Sequence, residues 1–234
     1  VKTEQAEILK ACQIWSNHIV ERMQVDIRVI HEENLPKHGP VVFIANHQSY
    51  ADILTFLYII KNHQVAFIAK DNLEKIPFFG KWVERIRGIY IHRGDARASL
   101  ATINEGVEYL KQGFSLVIFP ECREEYNNIV HQFQDRFIDI AKMYYKRTGK
   151  KLSFVPMYLA PKLKKIFFCK PIVYDPDIPM DIQRGQIKQQ LMDAITGIAC
   201  AQPLHTVIPY CNVSKKQYPK SLPCEVYHIA SSKS

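Results

Sequence analysis

Residues 41–60 read VVFIANHQSYADILTFLYII, and this stretch sets the interpretation of the whole chain. The apolar run at 41–45 predicts a strand that is buried on both faces of a sheet. A polar segment from Asn46 to Asp52 follows it, and a second apolar run from Ile53 predicts a helix. A strand, a loop and a helix in this order indicate an α/β fold, in which functional side chains gather at the carboxyl ends of strands.

Strands and helices alternate along most of the remaining chain. Apolar runs predict further strands at 65–69, 88–91, 116–119, 154–159 and 165–169. Helical spacing predicts helices at 96–112, 133–148 and 181–200, the first with Asp95 as its N-cap and Gly113 as its C-terminal stop. We therefore expect a single α/β domain over residues 1–234, with a largely parallel or mixed central sheet flanked by helices.

The two ends of the chain differ from this middle part. An amphipathic helical segment is predicted at 1–28, where apolar residues recur at spacings of three and four: Ile8, Cys12, Trp15, Ile19 and Met23. That face either packs on the core or beds into a lipid surface, and the pattern leaves both interpretations open. Residues 205–234, rich in Pro, Lys and Tyr, predict an irregular C-terminal tail.

Composition narrows the class of partner. The formal net charge of +8 favours an anionic partner, which is a phospholipid surface, a nucleic acid or a phosphorylated substrate.

Six cysteines at irregular spacings, with no C-x-x-C pair, predict reduced thiols in a cytosolic protein and give no support for a metal site. No apolar stretch approaches the ~20 residues of a spanning helix, and we expect no signal peptide. We expect this part of the protein to lie on a membrane rather than across it.

The first loop carries a candidate catalytic pair. His47 leaves the predicted strand, and Asp52 sits about one turn into the next helix. A carboxylate at that spacing can hold one imidazole nitrogen protonated and leave the other to take a proton from a hydroxyl nucleophile. The same residues also fit a helix cap, with Ser49 as the N-cap and Asp52 favoured by the helix dipole.

A second loop follows the strand predicted at 116–119. It begins Phe119-Pro120-Glu121 and continues to Arg123, so that an acid and a base lie at the edge of the sheet. A guanidinium is a planar fork suited to phosphate. The alternative is a solvated charged loop without a binding role.

Taken together, these motifs resemble those of the glycerolipid acyltransferase family, whose type members are the 1-acyl-glycerol-3-phosphate acyltransferases. The likeness covers roughly residues 30–175. Its blocks occur in the family's order: Asn46-His47-x4-Asp52, Gly88 to Arg93, Phe119-Pro120-Glu121, and Val155-Pro156, with Asn34-Leu35-Pro36, Lys70 and Pro77-Phe78-Phe79-Gly80 at the usual spacing.

The resemblance implies direct acyl transfer without a cofactor. His47, oriented by Asp52, would deprotonate the hydroxyl of a lysophospholipid such as lysophosphatidic acid. That hydroxyl would attack the thioester of acyl-CoA or acyl-carrier protein at the cytoplasmic face of a membrane, with the protein bound as a peripheral or monotopic one. The resemblance places Lys70 and Arg93 near phosphate or developing charge, and the Phe119, Pro120 and Glu121 block at the acceptor pocket.

The chain departs from the family pattern at two places. Arg123 stands one position earlier than the family's arginine, and Glu124 occupies that arginine's usual position. Arg136 stands where glycine is usual, which suggests a remodelled acceptor site and a second source of a guanidinium. The identity of the acceptor is therefore less defined than the acyl transfer.

Two other classes of function compete with the enzyme. A lipid-surface binding module with the same fold and no turnover is suggested by the altered second loop, but the intact His47 and Asp52 argue against it. Nucleic-acid binding is suggested by the basic and aromatic residues at 142–147. Tyr144 and Tyr145 fall on different sides of a predicted helix, so we expect no nucleic-acid partner. Gly80-Lys81 and Gly149-Lys150 lack the rest of a phosphate-binding loop.

Overall fold

The computed structural model describes residues 2–22, 26–47, 51–70, 88–91, 96–121, 129–130, 133–160, 163–202 and 206–207. The helices are α1 (Lys2–Arg22), α2 (Ala51–Ile59), α3 (Ala96–Lys111), α4 (Asp139–Thr148) and α5 (Met180–Cys200), with short 3-10 helices at Glu32–Asn34 and Arg136–Ile138. The strands are β1 (Arg28–Ile30), β2 (Val42–Ala45), β3 (Val65–Lys70), β4 (Gly88–Ile91), β5 (Ser115–Ile118), β6 (Ile129–Val130), β7 (Ser153–Ala160), β8 (Lys165–Phe168), β9 (Ile172–Val173) and β10 (Thr206–Val207).

Within the described ranges, eight of these strands form one mixed sheet. Seven follow the order β1-β8-β7-β2-β5-β3-β4, and β9 pairs with β7. The central pairs of β2 with β5 and with β7 are parallel, as are β3 with β5 and β4, whereas β7 runs antiparallel to β8. The predicted α/β fold with a largely parallel or mixed sheet is confirmed.

The sheet separates two apolar cores. Val42 and Ile44 of β2 lie in one core with residues of α3, α4 and α5, whereas Phe43 and Ala45 lie in the other with residues of α2. Successive side chains of a strand point to opposite faces, so a strand with helices on both sides must be apolar throughout. This explains why residues 41–45 form a continuous apolar run. All four residues of β2 are fully buried.

The predicted N-terminal helix is present as α1, which packs on α2 through only part of the apolar stripe, with Cys12 against the core on that side of the sheet. Gln13 Nε2 donates to the Ile60 carbonyl oxygen at 3.0 Å, Ser16 Oγ donates to the Leu54 carbonyl oxygen, and Val20 is buried. Trp15, which lies in the predicted stripe, is 50% exposed. Ser16 lies about 100° around the helix from Trp15, so the packed face includes Cys12 and Ser16 and leaves Trp15 at its margin.

The observed elements differ from the sequence predictions mainly at helix ends and in short strands. The segment predicted as one helix at 133–148 contains a 3-10 helix and then α4, and Gly113 follows α3 with a φ of 91°. A positive φ suits glycine, which explains the helix stop there. In the tail predicted to be irregular at 205–234, residues 206–207 form β10, which pairs with β6. Residues 208–234 and Asp95 lie outside the described residues.

The strand β1 was not predicted, and it begins at Arg28, the last residue of the predicted N-terminal segment. It pairs in parallel with β8 at the sheet edge. In the part of the chain that the structure describes, no helix combines the length and hydropathy needed to cross a bilayer.

Candidate active site

The candidate site begins where β2 leaves the sheet. Its last residue is Ala45, and Asn46 and His47 follow as buried residues at the carboxyl end of the strand. Because β5 and β7 run parallel to β2 on either side, their carboxyl ends meet at the same edge. In open α/β sheets this edge is the usual place for ligands.

His47 and Asp52 lie together at this edge. His47 Nδ1 is 3.0 Å from Asp52 Oδ2, and the two residues are 8% and 3% exposed. Asp52 lies in the first turn of α2, which turns its carboxylate back toward the strand end. The helix-dipole interpretation and the pairing are therefore compatible, while Ser49, the proposed N-cap, lies outside the described residues.

The geometry determines which imidazole nitrogen carries the proton. An ionised carboxylate only accepts hydrogen bonds, so Nδ1 must be the donor to Asp52. In the neutral imidazole Nε2 then has the lone pair and can take a proton. The resulting imidazolium is stabilised by the adjacent carboxylate, and burial of the pair limits the solvent screening of that attraction. This arrangement can act as a general base toward a hydroxyl group.

The loop after β5 holds His47 from a second direction. Phe119 stacks on the imidazole, with ring centroids 4.3 Å apart and planes inclined by 23°. Glu121, which is 3% exposed, accepts a hydrogen bond from the backbone N–H of His47 at 2.8 Å. Extending the pairing of Ile44 with Ile118 by three residues places His47 level with Glu121. The structure therefore places Glu121 against the backbone of His47, and its expected role at the acceptor pocket stays a prediction.

Pro120 links this loop to the next part of the chain. It is buried, and its carbonyl oxygen accepts a hydrogen bond from Gln134 N at 3.0 Å. The 3-10 helix that starts at Arg136 follows shortly after, and the Arg136 side chain is exposed. Its proposed role as a replacement guanidinium stays a prediction.

The other basic candidates are described only in part. Lys70 is the last residue of β3, and it pairs with Ile91 of β4. The side chain of Lys70 lies outside the described residues. Arg93 and Arg123 also lie outside them. Their roles in phosphate binding stay predictions.

Asn46 stands in the motif that carries the family resemblance, but the sequence analysis assigned it no role. It is 1% exposed, and both ends of its carboxamide bond to the backbone of Leu159 in β7. A buried amide must find partners, so an asparagine directly after a buried strand is itself a signal of a side chain that bonds to the backbone. Among the described residues, no group of three or more His, Cys, Asp or Glu side chains is arranged to hold a metal ion.

Comparison with known proteins adds a family to this geometry. The family model described as Acyltransferase matches residues 26–160. The chain is similar to the 1-acyl-sn-glycerol-3-phosphate acyltransferase of Saccharomyces cerevisiae, with 35% identity over 114 residues, which cover 47% of this chain and 37% of the yeast protein. It is also similar to the 1-acyl-sn-glycerol-3-phosphate acyltransferase of Borreliella burgdorferi, with 27% identity over 151 residues, 64% of this chain and 57% of that protein. The chain thus spans less than two thirds of the length of either relative.

A solved structure has a similar fold. It is the crystal structure of the 1-acyl-sn-glycerophosphate (LPA) acyltransferase PlsC from Thermotoga maritima, with a TM-score of 0.61 and 20% sequence identity. The match covers 83% of this chain and 80% of that one. At this level of identity, the likeness concerns the fold alone.

Proposed function

The chain belongs to the acyltransferase family, and from this premise we propose that it transfers a fatty acyl group from a thioester to the free hydroxyl of a lysophospholipid. The observation that carries the proposal is the buried pair of His47 and Asp52, 3.0 Å apart, at the carboxyl edge of the sheet. The first acceptor to consider is lysophosphatidic acid, which is another name for 1-acyl-glycerol-3-phosphate. Both similar proteins are named as acyltransferases of this compound.

The proposed reaction is a single displacement. His47 takes the proton of the acceptor hydroxyl at Nε2 while the oxygen attacks the thioester carbonyl carbon. This attack forms the C–O bond and a tetrahedral intermediate, which then collapses, breaks the C–S bond and expels the thiolate. The imidazolium returns its proton to the leaving sulfur, which regenerates the neutral base. Acyl-CoA and acyl-carrier protein are both thioesters that satisfy this scheme.

We further propose that the protein works at the cytoplasmic face of a membrane as a peripheral or monotopic protein. Two features support this. The net charge of +8 favours anionic phospholipids, which attract basic segments. On α1, the side chains of Ile14 and Trp15 are 60% and 50% exposed, and tryptophan is a residue favoured at the membrane interface.

The activity is tested by thiol release from acyl thioesters. Purified protein is mixed with vesicles that contain one of a panel of lysophospholipids, and with acyl-CoA or acylated carrier protein in turn. We expect release that depends on the acceptor and is lost in His47→Ala. The matched control is His63→Ala, which removes a second buried histidine near the opposite end of the central strands. This variant should retain release per folded molecule.

Two results would overturn the proposal. The first is a lack of release with every donor and acceptor while the protein still binds the vesicles, which would favour the non-catalytic lipid-surface module. The second is release that is unchanged in His47→Ala, which would remove the base from the mechanism.

Membrane attachment is tested by flotation with vesicles of anionic and neutral phospholipid at rising salt concentration. We expect binding to anionic vesicles to weaken with salt, since the Debye length shrinks from ~10 Å at 0.1 M to ~3 Å at 1 M. Trp15→Ala should reduce binding further. The matched control is Ile182→Ala on α5, which removes an apolar side chain of similar exposure, 53%. Equal binding of both variants and the parent protein would exclude contact through α1.

A further inference from the structure

The residue before His47 makes an unusual pair of hydrogen bonds. Asn46 Nδ2 donates to the Leu159 carbonyl oxygen at 2.9 Å, and the Leu159 N–H donates to Asn46 Oδ1 at 2.7 Å. Asn46 and Leu159 are 1% and 2% exposed, so water does not replace these bonds. The side chain thus satisfies a complete peptide donor and acceptor on β7.

The position of this pair explains what it does to the backbone. The ladder between β2 and β7 ends at Ala45, which pairs with Met157. Beyond that point, the carboxamide of Asn46 takes the place of a backbone peptide group against Leu159. The main chain of β2 is therefore released from the ladder while its side chain still holds it beside β7.

His47 follows Asn46 directly in the chain. Its backbone N–H is held by Glu121 from the β5 side at 2.8 Å, so the segment Asn46–His47 is fixed between β7 on one side and β5 on the other. The imidazole then lies between Asp52 and the ring of Phe119. A small displacement of this segment would move the imidazole relative to both of these contacts.

We propose that Asn46 is a positioning residue for His47, whose carboxamide, clamped to the backbone of Leu159, sets the place and direction of the imidazole. This inference rests on the proposed function, in which His47 is the base. A misplacement of about 1 Å in a reacting group can cost on the order of 10²-fold in rate. Loss of the clamp therefore lowers kcat by roughly tenfold to a hundredfold and leaves the KM for both substrates nearly unchanged.

The first test compares two asparagines that bond to the backbone of the same sheet. Asn46→Ala removes the clamp at the site. Asn34→Ala removes a hydrogen bond from Asn34 Nδ2 to the Phe168 carbonyl oxygen, 3.0 Å long, on β8, which is separated from β2 by β7. Assayed below their unfolding temperatures, Asn46→Ala should show the loss of kcat and Asn34→Ala should not. A folded Asn46→Ala with the parent's kcat would overturn the proposal.

The second test uses Asn46→Asp, which keeps the shape of the side chain and applies if Asn46→Ala does not fold. A neutral carboxyl group can accept from the Leu159 N–H and donate to its carbonyl oxygen, whereas the carboxylate cannot donate. The ratio of kcat in Asn46→Asp to the parent's kcat should therefore rise as the pH falls from about 8 to about 6, since burial favours the neutral carboxyl group. A carboxylate at position 46 would also favour protonated His47 and so lower the ratio toward acid pH, which is the opposite direction. The ratio should therefore approach one where the carboxyl group is neutral and both hydrogen bonds are kept, and a ratio that stays well below one from about pH 8 to about pH 6 would contradict the clamp.

The third test needs no acyl transfer. The His47 Nδ1 proton, hydrogen-bonded to Asp52, should give a downfield NMR resonance that is assigned by its absence in His47→Ala. We expect this resonance to shift or broaden in the Asn46 variants and to stay in place in Asn34→Ala. If the parent protein shows no acyl transfer but its resonance responds to the Asn46 variants, the proposed function is rejected and the positioning role is retained. If the parent is active and neither the resonance nor kcat changes in the Asn46 variants, the positioning role alone is rejected.

Discussion

Two buried histidines lie near opposite ends of the central strands and have opposite surroundings. His47 follows the carboxyl end of β2 and is paired with the carboxylate of Asp52 at 3.0 Å. His63 precedes β3 and lies near the amino ends of β2 and β5, where Nδ1 is 3.1 Å from Ser115 Oγ and Nε2 is 2.7 Å from the Pro36 carbonyl oxygen. Each ring also contacts a phenylalanine, Phe119 for His47 and Phe43 for His63.

The partners decide what each imidazole can do. The Pro36 carbonyl only accepts, so Nε2 of His63 carries the proton, and the Ser115 hydroxyl donates to Nδ1 while accepting from the Val41 N–H at 3.2 Å. Each of these groups is neutral, so this network suits an uncharged ring that joins three chain segments. The carboxylate beside His47 instead stabilises a charged ring. Burial alone therefore does not distinguish the two histidines, whereas the buried carboxylate beside His47 does.

The largest expected effect separates the two histidines by activity. His47→Ala should lower the turnover of acyl transfer by at least ~10²-fold, the contribution typical of a general base. The thiol-release assay measures it, and circular dichroism checks that the variant is folded. A turnover within a few-fold of the parent's would show that His47 is not the base.

The next effect tests the carboxylate itself. Asp52→Asn keeps the size of the side chain but removes the charge, and its amide can donate to Nδ1 and force the proton onto Nε2. We expect kcat to fall by roughly tenfold to a hundredfold, with a smaller change in KM. If Asp52→Asn retained the parent's kcat, the contrast between the two histidines would lose its chemical basis.

His63 should matter for stability instead. His63→Ala leaves the Ser115 hydroxyl and the Pro36 carbonyl without this partner, which should lower the free energy of unfolding by about 1–3 kcal/mol. Urea unfolding measures the change. The kcat per folded molecule should stay within about twofold of the parent's, because hydrogen bonds lost at the opposite end of the strands weaken the fold and leave the base in place. Replacement of the exposed His31 by alanine serves as the control and should leave the unfolding midpoint close to the parent's. A catalytic loss in His63→Ala equal to that in His47→Ala would remove the distinction.

The smallest effect is on the pH dependence of stability. Burial lowers the pKa of His63 below its ordinary value of 6.5, although the hydrogen bond to Pro36 raises it, and the nearby His38 lowers it further. The unfolded chain therefore binds a proton at His63 more readily than the folded one. The stabilisation is fully present above pH 6.5 and is lost as the pH falls through the lowered pKa. Thermal unfolding on either side of this pH should show a smaller acid loss in His63→Ala than in the parent, and equal losses would contradict it.

The parts of the fold that follow from local pattern were predicted well. The buried strand at 41–45, the helix after Asp52 and the alternation of strands and helices depend on hydropathy at short range. The closeness of His47 and Asp52 also depends on short range, since Asp52 lies only five positions after His47, across a strand end and the first helical turn. The short strands β1, β6, β9 and β10 were not predicted, because two or three residues carry no periodicity.

Contacts on α1 show a different limit. The apolar stripe left open whether that face packs on the core or beds into a lipid surface, and it did not indicate that Gln13 and Ser16 bond to the carbonyl oxygens of residues 60 and 54, respectively. Hydropathy counts such side chains as polar and assigns them to solvent. Only the packing of α1 on α2 shows that these polar groups are inside and that Trp15 is half exposed.

The sequence by itself therefore determined the α/β class, the edge of the sheet that bears the site and the pair of His47 with Asp52. The tertiary structure decided which groups hold that pair. Glu121 bonds to the backbone of His47 across 74 residues, and Asn46 bonds to Leu159 across 113. Such contacts depend on the order and register of β5, β2 and β7 in the sheet. The physical reason is that local hydropathy specifies that a strand is buried, but only the assembled sheet specifies which strand lies beside it and at what level.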